Sequence, residues 1–323
     1  QERADVEPYL KMRPNVVMIY ADDLGFGDLE CYGAKGVSTP NVNRLSENGV
    51  RFTNAHAVAA TSTPSRYSLL TGQYPWRKAG TDVAAGDAGM IIAPEQTTVA
   101  DVFKEAGYRT AAFGKWHLGD YGEYLPTNQG FDYFYGSHHV NDMKPFYHVV
   151  EENGEYEIVH GSQELRDENG KKDQSPLTEW IHGEITEWIT DKVTNSDKPF
   201  FAYYASPWPH GPVFAGDDFD GTSGMGTYVD CLTEFDTYLG KLFDTLEELG
   251  ELEEVVFADV VTCVDDGGVV ALEIAVEVVA ECLNHGTCAE VAATDTCNYY
   301  NIAQFAECVG CSLYIVEVLF GDA

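Results

Sequence analysis

A chain of 323 residues, 44% hydrophobic and 12% aromatic, is long and apolar enough for one large or two ordinary domains with a buried core, which excludes wholesale disorder. Its 53 Asp and Glu against 19 Lys and Arg give a formal net charge of −34. That excludes a general nucleic-acid binder, because neutralising phosphates takes clustered cations, and it disfavours docking on anionic membranes.

Residues 14–206 read as alternating strand and helix. Asn15–Tyr20 is a continuous apolar run, as in a strand buried on both faces, and it ends in Ala21-Asp22-Asp23-Leu24-Gly25. Pro40–Gly49 reads as a short helix with Pro in its first turn and Gly past its end. A second helix begins at Ser65 and stops near Gly72, and a third runs from Thr98 to Ala106, closed by Gly107. Arg109–Phe113 is the next strand, ending in Gly114-Lys115-Trp116-His117. Leu177–Val193 is an amphipathic helix, and Pro199–Ala205 a strand ending in Pro207-Trp208-Pro209-His210. Tyr228–Leu249 is a long helix with Leu232, Phe235, Leu239, Leu242 and Leu246 on one face. This alternation predicts an α/β fold: a largely parallel, mixed central sheet with helices on both faces. No uninterrupted apolar run reaches the ~18 residues of a transmembrane helix, so no membrane insertion is expected.

Charge and cysteine divide the chain. Residues 1–241 hold every basic residue and 36 acids, whereas the 82 residues 242–323 hold 17 acids and no Lys or Arg. Six of the eight cysteines (Cys263, Cys282, Cys288, Cys297, Cys308 and Cys311) lie in the second region. The expected organisation is an α/β domain over 1–250 and an acidic, Cys-rich tail over 251–323. Cys31 and Cys231 alone do not suggest a disulfide framework. The start Gln1-Glu2-Arg3 carries no apolar leader, as in a cytoplasmic protein or a mature form whose signal peptide is removed.

Three strands end in polar groups: Asp22 and Asp23, Lys115 and His117, and His210. In open α/β sheets, sites gather beyond the carboxyl ends of the strands, so these groups are expected on one edge. Singly, each has an ordinary structural explanation: a solvated strand end, exposed loop residues, a strand cap. Ser62 alone would be a helix cap.

The segment Ser62-Thr63-Pro64-Ser65-Arg66, followed by Leu70-Thr71-Gly72, resembles the activation motif of the type I sulfatases of the alkaline-phosphatase superfamily. Supporting matches follow in the family's order: Pro14-Asn15 leading into Asp22-Asp23-Leu24-Gly25, then Thr39-Pro40-Asn41, Arg51-Phe52, Gly107-Tyr108, Gly114–Gly119, Gly130-Phe131-Asp132, and His210 with Pro212. The resemblance covers about residues 13–250. It implies that Ser62 is oxidised after translation to formylglycine by a maturation enzyme. One hydroxyl of the hydrated aldehyde then attacks sulfur, and the second drives release of sulfate. It implies a calcium ion at Asp22, Asp23 and position 62. Arg66 would hold the diol, Lys115 a sulfate oxygen, and His117 would take a proton during elimination. His210 would bind sulfate and help protonate the leaving alcohol.

The family pattern continues with a strand and Asp-Asn-Gly completing the metal shell, then a lysine that contacts sulfate. Here the nearest match is Val264-Asp265-Asp266-Gly267, with Asp266 where Asn is expected; Asp259 is a candidate in another register, and the lysine is missing. Val269–Ala280 has both helical and strand character, and Cys308-Val-Gly-Cys311 is an isolated C-x-x-C.

The expected function is hydrolysis of sulfate esters, carbohydrate sulfates first, in a periplasmic or secreted bacterial protein, since serine rather than cysteine at 62 resembles bacterial members matured without oxygen. Alternatives are a phosphoester or phosphonate hydrolase of the same superfamily, or a catalytically impaired sulfatase-like binding protein. Trp208, Tyr74, Trp76 and Arg77 are candidates for stacking on or binding a sugar ring, and His138, His139 and Asn141 for lining the substrate pocket.

Overall fold

The computed structural model describes residues 14–53, 55–80, 91–143, 146–160, 174–252, 255–261 and 314–318. Nine strands among the described residues form one sheet: β1 (Asn15–Asp22), β2 (Gly49–Arg51), β3 (Arg109–Lys115), β4 (Tyr133–Ser137), β5 (His148–Glu152), β6 (Glu155–His160), β7 (Phe200–Pro209), β8 (Val255–Val261) and β9 (Tyr314–Val318). Their order is β2-β9-β8-β1-β7-β3-β4-β5-β6. The strands from β2 to β4 pair in parallel, and β4-β5-β6 are antiparallel.

The five α-helices among the described residues are α1 (Pro40–Asn48), α2 (Ser62–Thr71), α3 (Val99–Glu105), α4 (Leu177–Asn195) and α5 (Thr227–Glu248). Every residue of β1 is buried. Side chains alternate across a strand, so Val17, Ile19 and Ala21 join a core with α1, α4 and α5, while Val16, Met18 and Tyr20 join one with α2 and α3. β7 is shared in the same way, with Phe200, Ala202 and Tyr204 on one face and Phe201, Tyr203 and Ala205 on the other. The expected mixed α/β sheet with helices on both faces is thus the observed one. No helix among the described residues is long and apolar enough to cross a membrane.

The strands run further than their apolar runs. β1 extends to Asp22, β3 to Lys115 and β7 to Pro209, because parallel neighbours carry the polar ends into the ladder. β1, β3 and β7 are mutually parallel, so Asp22, Lys115 and His210 emerge on the same edge of the sheet. The helix expected from Ser65 begins at Ser62, with Thr61 as its N-cap. Gly114 of β3 has φ +100, and a Cβ there would stand 2.0 Å from the carbonyl oxygen of Ala205 on β7. Only glycine allows that close approach, and the next residue is Lys115.

The tail contributes β8 and β9. Asp259 lies within β8, opposite Ile19, and Val261 is opposite Ala21. Asp259 is therefore three residues short of the level of Asp22, which corrects its candidacy for the strand end. Asp265, Asp266, the six tail cysteines and the run Val269–Ala280 lie outside the described residues.

Candidate active site

α2 stands with its first turn at the carboxyl edge of the sheet. Pro64 sits in that turn, where a missing N–H costs nothing, and the helix ends at Gly72, whose left-handed backbone (φ +64) donates its N–H to Ser68 O at 2.8 Å. Residues 63–71 are all buried. Ser62 and Arg66 are one turn apart and so share a face; Arg66 Nε donates to Ser62 Oγ at 2.8 Å.

Arg66 is wholly enclosed and organises what lies behind Ser62. Its Nη1 donates to the carbonyl of Lys115 at 2.8 Å, and its Nη2 stands 3.1 Å from Asp22 Oδ1. Its guanidinium carbon lies 4.9 Å from the centre of the Tyr20 ring, with Tyr203 OH 3.5 Å from Nη1. The Lys115 ammonium holds the other oxygen of Asp22, and the three side chains are at most 2% exposed. Burial alone would raise the Asp22 pKa, but Lys115, Arg66 and His210 hold it well below the usual carboxylate range. Burial pushes the Lys115 ammonium down to about 8, helped by Arg66 and opposed by Asp22. For Arg66 burial is outweighed, chiefly by Asp22, and its pKa rises.

Asp23 differs from its neighbour. It has a left-handed backbone, φ +63, and a side chain 42% exposed. Partial burial and the adjacent Asp22 charge raise its pKa. Its Oδ2 lies 3.8 Å from His210 Nε2.

His117 is held in the left-handed region at φ +58, uncommon outside glycine. Its N–H donates to His138 O at 2.9 Å, and its Nδ1 lies 3.3 Å from Ser62 Oγ. Lys115 and His117, each 2% exposed, are not loop residues in solvent.

The structure thus gathers Asp22, Ser62, Arg66, Lys115 and His117 in direct contact, with Asp23 and His210 facing each other beside them. It does not gather the sugar-binding candidates. Trp208 is 1% exposed and packs against Phe214, so no ring can stack on it. Tyr74, Trp76 and Arg77 follow the far end of α2, about 15 Å from Ser62 at the helical rise per residue. His138 is buried against Glu151 at 2.8 Å, and the His139 side chain lies 3.4 Å from Asp120. Asn141 touches His210, its Oδ1 lying 3.1 Å from His210 Nδ1. Tyr20 and Tyr203 at the guanidinium carry no signal in the sequence, since a tyrosine in an apolar strand reads as core.

Asp22 and Asp23 offer only carboxylate oxygens, the donor chemistry of a hard cation, and Ser62 adds an oxygen at the same edge. Among the described residues no group of three or more His, Cys, Asp or Glu could hold a metal ion. Asp22 is matched by two protein cations. The described donors therefore fit part of a calcium shell, which takes six to eight oxygens.

A family model, Sulfatase, matches residues 14–258. The chain belongs to the sulfatase family. It is 36% identical over 309 residues to an N-acetylgalactosamine-6-O-sulfatase of Bacteroides thetaiotaomicron, covering 79% of this chain and 60% of that one. It is 36% identical over 255 residues to human arylsulfatase A, covering 75% of this chain and 50% of the relative. Among solved structures, a sulfatase from the glycosaminoglycan-metabolism locus of B. thetaiotaomicron superposes with a TM-score of 0.68 at 34% identity, covering 76% of this chain and 61% of that one. The chain thus spans 50–60% of the length of these curated sulfatases.

Proposed function

We propose that this chain hydrolyses sulfate esters of carbohydrates at Ser62. The observation that carries the reading is the double hold on Ser62 Oγ, between Arg66 Nε at 2.8 Å and His117 Nδ1 at 3.3 Å, with Lys115 and Asp22 directly behind. Formylglycine at position 62 would supply a geminal diol, whose two hydroxyls give one nucleophile and one group able to expel sulfate. A calcium ion held by Asp22, Asp23 and the oxygen at 62 would add positive charge toward a sulfate oxygen.

The chain's own residues do the rest. Arg66 orients the oxygen at position 62 and keeps its charge. Its bond to the Lys115 carbonyl fixes the strand end from which the ammonium projects, so two buried cations stand directly behind the oxygen that meets sulfate. His117 Nδ1 accepts a proton from a hydroxyl on residue 62 or returns it. His210, at the end of β7 with its side chain 21% exposed, presents Nε2 for protonating the departing alcohol oxygen. The relatives' names make hexosamine 6-O-sulfates the first substrates to try.

Mass measurement of the peptide containing Ser62, after expression with a maturation enzyme, should show loss of two hydrogens, with sulfate release from a sugar 6-sulfate. Unmodified Ser62 with no sulfate release overturns the reading. The occupation of both Asp22 oxygens by protein cations favours a second reading, an impaired sulfatase-like binding protein. Calcium titration separates the two: turnover that rises with bound calcium excludes the impaired form.

A further inference from the structure

The amide of Asn141 is fully buried behind His210. Its surroundings fix which way it points, and from that the protonation of the imidazole follows. Gln174, also buried, donates its Nε2 to the backbone carbonyl of Asn141 at 2.9 Å, and only the nitrogen end of a glutamine amide can do this. Its Oε1 is therefore the end presented to Asn141, whose Nδ2 lies 3.4 Å away. Asn141 Nδ2 also donates to the carbonyl of Pro212 at 3.0 Å. Reversing the Asn141 amide would set its oxygen against these two acceptors, so Oδ1 is the end turned to His210 Nδ1 at 3.1 Å. An amide oxygen only accepts, so Nδ1 of the imidazole must donate.

We propose that Asn141 is the positioning residue of His210. It keeps a proton on Nδ1, which leaves Nε2 as the single ring nitrogen that exchanges a proton with the site. The imidazole can then deliver a proton only toward the leaving-group side, and it cannot rotate that nitrogen away without losing the Asn141 bond. Gln174 supports this at one remove, by fixing the amide that fixes the ring. The inference rests on the proposed sulfatase reading for its catalytic consequence, but the tautomer itself can be measured without turnover.

The test has two arms. In the full chain labelled with nitrogen-15 histidine, neutral His210 should show a protonated Nδ1 and an unprotonated Nε2; the opposite assignment overturns the proposal whether or not the protein hydrolyses sulfate. The second arm compares a sugar 6-sulfate, which leaves as a poor alcohol and needs a proton, with 4-nitrophenyl sulfate, which needs little help. Asn141→Leu should lower kcat on the sugar sulfate ~100-fold, at the lower end of what a positioned acid supplies, with little change on the aryl sulfate. His210→Ala should lower the sugar-sulfate rate at least as far, and adding Asn141→Leu to it should cause no further loss. Equal losses on both substrates would assign Asn141 a merely structural role and overturn the proposal. A wild-type chain inactive on both substrates would count against the sulfatase reading alone, with the labelled histidine still deciding the tautomer.

Discussion

Two buried carboxylates, one at the sheet edge and one inside α5, are treated in opposite ways. Asp22 faces Lys115 and Arg66 and is held ionised, well below the usual carboxylate range. Glu234, 1% exposed, accepts the N–H of Gly216 at 3.0 Å, and burial pushes it up to about 7 against that bond, with Glu179 adding to the rise. Burial works to raise the pKa of both groups. What separates them is whether a cation was buried alongside, and cations occur at the site although the chain has few to place.

The largest effect should come from breaking the first arrangement. Asp22→Ala leaves two cations buried with no counter-charge and should cost about 3–5 kcal/mol in denaturant unfolding. A loss under 1 kcal/mol would mean the charges are solvated rather than enclosed. Because the folded pKa of Asp22 is depressed, its contribution is present above its ordinary value of 3.8 and fades as pH falls below that. Glu234 has the opposite sign: its folded pKa is raised from 4.5 to about 7, so stability should fall as pH rises through that window. Glu234→Gln should flatten that slope, by up to roughly 3 kcal/mol for a shift of this size; unchanged pH dependence would remove Glu234 from the account. The smallest effect belongs at the surface. Lys104 and Asp132 meet at 2.8 Å, but both side chains are more than 40% exposed, and Lys104→Ala should change stability by about 0.5 kcal/mol or less.

The sequence disclosed the middle of the sheet and little of its edges. β1, β3 and β7 are legible because strands buried on both faces read as unbroken apolar runs, and the polar residues that end them mark the edge where sites form. β6 is not legible: Glu155–His160 is exposed along almost its whole length, so no burial pattern is written into it. The set Asp22, Asp23, Ser62, Arg66, Lys115, His117 and His210 could be named from motif order, but its internal wiring could not. That Lys115 is sealed with Asp22, or that Trp208 turns inward, depends on strand register and on the pinch at Gly114, which are set by neighbours distant in sequence. Asn141 falls in the same class, since its importance comes from Gln174 and Pro212, brought to it by the fold.

The pairing of β1 also bears on how the chain survives its own synthesis. Val16 pairs with Phe201 on one side and Val256 on the other. This fully buried strand is therefore translated early and finds its first partner some 185 residues later. At ribosomal rates of roughly 5–20 residues per second, that leaves Asn15–Asp22 without its neighbours for about 10–40 seconds. For that interval an interior strand of the finished sheet is a sticky nascent segment, and the yield of folded protein should depend on what shields it until β7 emerges.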